Sequence, residues 1–243
     1  MRKSLLTTGV EVPLRVNAEY VHLLADFTSP DPEMEALSYI SVEPAPKGGV
    51  YLVALNGYQL GVFFDAEGEA SQPVLLRPTK GLVAACKKRW NERARFVTMR
   101  QGRVVVENDG ELEHYIEPYT ATAKCEFPEW QVMLDRAFGT ATGSEPGQVV
   151  GYKAPDLAKF DFKSGREAQA LRFVNGGPFD PVVVIHHAYP EFIGLVMPLR
   201  LREEEGRAVR PDWLQVDPEE ASEGFEPVDQ FLSSVGEEPA YIQ

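Results

Sequence analysis

Short stretches of alternating apolar and polar residues, broken by turn residues, run through the first 200 positions and predict strands. Tyr39–Glu43 reads as a strand, Pro44–Gly49 as a turn and Val50–Ala54 as a second strand. Asn56-Gly57 is a hairpin signal, because glycine supplies the positive φ that a tight turn needs. Gln59–Phe64 and Pro73–Leu76 follow as strands. Arg95–Met99, Arg103–Glu107 and Glu113–Glu117 form a further set, with turns at Gln101-Gly102 and Asn108–Gly110. The last set is Ala170–Val174, Pro181–His186 and Phe192–Leu199, with a turn at Asn175–Gly177.

Helical spacing interrupts this pattern in three places. Tyr20, Leu23, Leu24 and Phe27 fall at i, i+3, i+4 and i+7, a buried stripe that leaves Glu19, His22 and Asp26 on an outer face without a base. Between Lys80 and Asn91, Leu82, Val83, Cys86 and Trp90 share one side, and Lys80, Lys87 and Lys88 fall opposite. A third helix is expected at Ala154–Phe160. Each helix leads a set of antiparallel strands, so one small unit recurs three times. The expected fold class is α+β, with short helices packed on antiparallel sheets.

Composition narrows the functions open to such a chain. Its 243 residues are 44% hydrophobic and 25% charged, which suits one large domain or a domain with a smaller module. No apolar run approaches the roughly 20 residues of a membrane span. The start, Met1–Leu6, lacks the apolar stretch of a secretory signal. Two cysteines, Cys86 and Cys125, argue against a disulfide framework or a Cys-rich zinc site, so a reducing cytoplasm is the expected location. His186-His187 lies in a strand, where the two rings point to opposite faces and cannot easily share a metal. The sequence has no Gly-rich phosphate loop, Ser-His-Asp set or metal-ligand spacing. No catalytic residue, metal or cofactor is therefore expected, and an enzyme is the least favoured class.

Charge is distributed unevenly. From Glu203 to Gln243 there are twelve acids and two bases, a net of −10, which leaves −3 of the total −13 for residues 1–202. This tail is rich in Glu, Pro, Ser and Gly and reads as poorly ordered, with Trp213-Leu214 and Phe231-Leu232 as anchors that could dock. Lys80 to Arg103 carries eight bases and one acid, a net of +7. A low overall pI speaks against non-specific nucleic-acid binding by the whole surface but leaves room for one basic face.

Four segments carry a family resemblance. Tyr51-Leu-Val-Ala-Leu-Asn-Gly-Tyr-Gln-Leu60 resembles the "ATDGHRL" segment of the bacterial DNA polymerase III β subunit, the DNA sliding clamp. Arg77-Pro-Thr-Lys-Gly-Leu82 resembles the "PRKG" lead-in to that family's next helix, Glu126-Phe-Pro-Glu-Trp130 its "FPDY", and Leu195-Val-Met-Pro-Leu-Arg-Leu201 the "VVMPMRL" that closes the family's chain. They stand in the family's order over about residues 14–201. The family's Asp, His and Arg in the first motif are Asn56, Tyr58 and Gln59 here. The first clamp domain and half of the third have no counterpart, and the shortened pattern resembles phage or prophage clamps. The implied domains are 1–130, resembling the clamp's middle domain; 131–202, half a clamp domain resembling the end of the last one; and the acidic tail 203–243.

The resemblance implies a non-catalytic protein that holds double-stranded DNA non-specifically and docks replication proteins in a hydrophobic peptide pocket. For DNA it points to Lys80, Lys87, Lys88 and Arg89 on the second helix and Lys153, Lys159, Lys163 and Arg166 around the third, where phosphate contact would be electrostatic and mobile. For the peptide pocket it points to Leu55, Gly57, Tyr58 and Leu60 with Leu195, Met197, Pro198, Leu199 and Arg200. The plainer alternatives are a solvated helix face for the bases and a hairpin with core edge for the apolar set. Family rings hold twelve helix-plus-strands units, so four copies of three units would close a homo-oligomeric ring. The competing reading is a clamp-derived interaction module that does not encircle DNA and competes for, or blocks, the host clamp's partners.

Overall fold

A computed structural model describes residues 13–31, 33–87, 94–108, 113–119, 126–140, 151–162, 170–174 and 180–199. The chain divides into Met1–Arg202 and Glu203–Gln243, and the acidic tail with its apolar anchors lies outside the described residues. So do Lys88, Arg89, Trp90, Cys125, Lys163, Arg166 and Arg200.

Strand β1 (Leu14–Asn17) leads into helix α1 (Ala18–Leu24), which tightens into a 3-10 turn at Ala25–Phe27. Asn17 caps the helix by accepting from the Glu19 amide at 3.0 Å. Then come β2 (Ile40–Pro44), β3 (Val50–Leu55), β4 (Gln59–Asp65), β5 (Glu69–Ala70) and β6 (Val74–Leu76). Helix α2 (Lys80–Cys86) is capped by Thr79 Oγ1, which accepts from the Leu82 amide at 3.1 Å. Strands β7 (Phe96–Arg100), β8 (Arg103–Glu107) and β9 (Glu113–Pro118) follow. Helices α3 (Trp130–Thr140) and α4 (Ala154–Ala158) precede β10 (Leu171–Val174), β11 (Val182–His186) and β12 (Phe192–Val196).

The strands form two antiparallel sheets, β5-β1-β7-β8-β9 and β10-β11-β12-β4-β3-β2-β6. The first two units exchange their leading strands: β1 precedes α1 but pairs with β7, and β6 precedes α2 but pairs with β2. This interlock makes one body of them. In the sheet the third unit joins through β12, which runs antiparallel to β4 with Leu195 opposite Leu60 and Gly194 opposite Gly61. The α+β class and the three recurring units match the sequence expectation.

The main core lies between the helices and the sheets. Leu24 and Phe27 from the α1 region, Leu82 and Cys86 from α2, and Phe160 and Phe162 after α4 all bury against strand residues such as Leu52, Phe63 and Phe192. Full burial of each large apolar side chain contributes roughly 1.5–3 kcal/mol. The paired glycines Gly61 and Gly194 open space for this aromatic cluster: a Cβ on Gly61 would meet Leu24 at 2.9 Å, and one on Gly194 would run into Phe160.

Three expectations change. Helix α2 closes at Cys86, where Lys87 takes an extended ψ of 119°. Glu19, assigned by spacing to the exposed face of α1, is only 9% exposed and accepts from the Tyr189 hydroxyl at 2.8 Å. Its neighbour His22 is half-buried against α2, with Nδ1 3.1 Å from the Val83 carbonyl. The second helix covers a flank that helical spacing alone leaves open to water. Finally, residues 130–140 form a helix beyond the three that the spacing predicts.

Candidate functional site

Alternate strand residues point to the same side of a sheet, so register stacks them into rows. On the face of the seven-stranded sheet turned away from α1 and α2, one row is Leu55, Leu60, Leu195 and Val183. The next is Val53, Val62, Ile193 and Ile185. A third is Glu43, Tyr51 and Phe64, and the Phe64 amide donates to the Glu191 carbonyl at 3.0 Å.

Helix α3 lies over these rows. Its eleven residues span about 16 Å, enough to cross the roughly 14 Å of three strand spacings from β3 to β11. At its start the Trp130 ring meets Tyr51 edge-on at 5.4 Å, and its indole N–H donates to Glu43 Oε2 at 3.2 Å. Farther along, Ala137 shares a buried cluster with Val183. Leu55, Leu60 and Leu195 belong to that cluster and are only 4%, 2% and 5% exposed. The structure therefore brings these three predicted pocket residues together and closes them beneath α3. Sequence reasoning missed α3, although Trp130, Leu134 and Ala137 already stand at i, i+4 and i+7.

The rest of the predicted pocket stays open. Gly57 has a φ of 86° and shapes the β3–β4 turn, where Asn56 Oδ1 accepts from the Tyr58 and Gln59 amides. Tyr58 is 59% exposed and Met197 40%. The Met197 amide donates to the Tyr58 carbonyl at 2.9 Å, so the first and last pocket segments meet directly. Pro198 and Leu199 are half-buried, and the Leu199 amide donates to the Gly151 carbonyl at 2.8 Å.

Buried Gln59 ties this turn to α4. Its amide nitrogen donates to the Asp156 carbonyl at 2.6 Å, and its oxygen accepts from Asn56 Nδ2 at 2.8 Å and Lys159 Nζ at 2.7 Å. Lys153 Nζ lies 4.8 Å from the centre of the Tyr58 ring, a cation–π contact. These two lysines thus gather at the β4 turn, while Lys80 and Lys87 are exposed at opposite ends of α2. Burial holds the His22 pKa below its usual 6.5, so that ring adds no positive charge at neutral pH. Among the described residues, no group of three or more His, Cys, Asp or Glu side chains is placed to hold a metal ion. Nor is any described helix long and apolar enough to cross a membrane.

No protein-family model matches the chain, and no curated protein sequence matches it. Solved structures do match its fold. The DNA polymerase sliding clamp from Pseudomonas aeruginosa, solved with a ligand, aligns with a TM-score of 0.53 at 14% identity, over 81% of this chain and 68% of that one. The sliding clamp (DNA polymerase III subunit beta) from Bartonella birtlesii, bound to griselimycin, gives 0.54 at 12%, over 83% and 69%. The DNA polymerase III beta subunit from Thermotoga maritima gives 0.52 at 15%, over 82% and 68%. The chain has the fold of a DNA polymerase III β sliding clamp and spans about two thirds of the length of these structures.

Proposed function

We propose that this chain is a clamp-like scaffold without chemistry of its own. It docks replication proteins through short peptide segments taken at the β4–β12 junction. It holds double-stranded DNA, without sequence preference, against the side that carries α1, α2 and α4. The fold supports this reading, and one observation carries it: the hydrogen bond from the Met197 amide to the Tyr58 carbonyl joins two segments 139 positions apart into one exposed apolar patch. Met197 supplies an unbranched thioether that repacks against varied side chains, and Tyr58 supplies a ring with a polar tip. Both are exposed enough to change without emptying the core. Tyr58→Ala and Met197→Asp should each weaken binding of a fluorescent peptide from a bacterial replicative polymerase tail at least tenfold, with an unchanged melting temperature. Equal affinity in both variants and the parent would remove the docking reading.

For DNA, Lys80 and Lys87 on α2 and Lys153 and Lys159 near α4 supply the charge, with Lys88, Arg89, Lys163 and Arg166 completing the set in sequence. Phosphate contact of this kind weakens with salt and carries no base readout. Salt-sensitive retention on circular plasmid, lost when the plasmid is linearised, is the expected behaviour of a topological clamp.

A second reading is an interaction module that occupies a clamp's partners without encircling DNA. Helix α1 favours it, since Glu19, His22 and Asp26 bring no positive charge to the helix side, and Lys159 already donates to Gln59. Peptide binding without retention on circular DNA would select this reading.

A further inference from the structure

Helix α3 does not cover the whole outer face of the seven-stranded sheet. Its course runs from the Glu43–Tyr51 end of the third row toward Val183 in the first, leaving one corner open. There a cleft of about 450 Å³ is floored by Val62 and Ile193 and walled by Tyr51, Phe64 and Trp130. Two acidic residues, Glu43 and Glu191, stand among its described lining residues, and no described Lys, Arg or His does. Glu43 is engaged by Ser41 Oγ at 2.9 Å and by the Trp130 indole, and Glu191 Oε1 accepts from the Tyr20 hydroxyl at 3.0 Å. These bonds hold both carboxylates in place, Glu43 through both oxygens and Glu191 through the hydroxyl of Tyr20 on α1. Aromatic walls beside carboxylates form a receptor for a cationic side chain, through ring and ion contacts together, while the aliphatic floor takes an apolar neighbour.

We infer that this cleft docks a partner peptide in which an apolar side chain is flanked by Arg or Lys. The apolar side chain enters over Val62 and Ile193. The flanking cation lies against Phe64 and Glu191. The inference rests on the reading of the outer sheet face as a docking surface. It adds the chemistry of the guest, and it places that guest one to two rows from Leu55, Leu60 and Leu195, which α3 closes. Charge complementarity argues for a basic guest over an acidic one, because an acidic peptide would bring like charge to two fixed carboxylates.

Two fluorescein-labelled synthetic peptides test this on the full chain by anisotropy: acetyl-Arg-Leu-Phe-Arg-amide and acetyl-Glu-Leu-Phe-Glu-amide. The basic peptide should bind at least tenfold more tightly, and added salt should narrow the gap. Glu191→Gln should weaken the basic peptide about fivefold, and Phe64→Ala should weaken it by a similar factor. Melting curves of both variants establish that they fold. Equal binding of the two peptides, or an unchanged affinity in both folded variants, overturns the inference. If neither synthetic peptide binds while a polymerase-tail peptide still binds in a Met197-dependent way, the cleft assignment falls and the docking function stands.

Discussion

Gln59 shows how a buried side-chain amide can be satisfied at a turn. The clamp family carries Arg in the matching motif; here a neutral amide is buried, and three partners satisfy it. Its oxygen accepts twice and its nitrogen donates to the Asp156 carbonyl, which offsets much of the cost of burying the amide. A nearby residue shows the opposite case. The Cys86 thiol lies among apolar neighbours, and burial pushes its pKa from the usual 9.0 to about 12. Between those values the unfolded chain loses the proton and the folded chain keeps it. The folded state then binds more protons, so stability falls as pH rises. The ceiling on that slope is about 1.4 kcal/mol per pH unit for one group. Urea unfolding of the parent at pH 8 and pH 10 should show this loss. Cys86→Ala, though less stable at pH 8, should lose distinctly less between the two pH values. Equal losses in both proteins would mean that the thiol ionises in the folded state as it does in water.

At the scale of elements, the junction between β4 and β12 holds the third unit to the first. It depends on two glycines placed opposite each other, Gly61 and Gly194, because Phe27, Phe160 and Phe192 occupy the space where their side chains would be. Gly194→Ala should overpack this cluster and cost about 1–3 kcal/mol. Thermal melting should show the loss. A variant as stable as the parent would mean that Phe160 can step aside. Strands such as Val50–Leu55 and Gln59–Asp65 were legible because apolar runs ended at a strong turn signal, Asn56-Gly57. The meeting of Tyr58 with Met197 was legible only through the resemblance, since nothing local to either segment specifies a partner 139 positions away. Helix α3 was not read because only three inward positions, Trp130, Leu134 and Ala137, mark it, and Val132 and Met133 are exposed apolar residues that blur the stripe. Glu19 was misplaced for a related reason: helical spacing defines a face but not which neighbouring element covers it.

At the scale of the whole molecule, both sheets end in edge strands among the described residues. Among the described strands, β9 and β10 are outermost in their sheets, opposite β5 and β6. Each carries an exposed apolar residue, Ile116 on β9 and Phe173 on β10. Edge strands of this kind are templates for another strand, although Glu113, Glu117 and Pro118 on β9 and Arg172 on β10 partly blunt them. Pairing β9 of one copy with β10 of the next is a head-to-tail contact, which closes into a ring when the rotation per copy divides a full turn. If the chain closes the twelve-unit ring that the clamp resemblance implies, three units per chain would make that number four. Light scattering should then give four times the chain mass. Ile116→Lys and Phe173→Lys, which place a charge on each edge without touching the core, should shift the mass toward that of one chain while leaving the melting temperature of the fold within a few degrees. A single-chain mass for the parent at high concentration, or a stable pair, would remove four-fold closure. It would leave the interaction module as the reading of this fold, since a scaffold that cannot close cannot be held on circular DNA by topology.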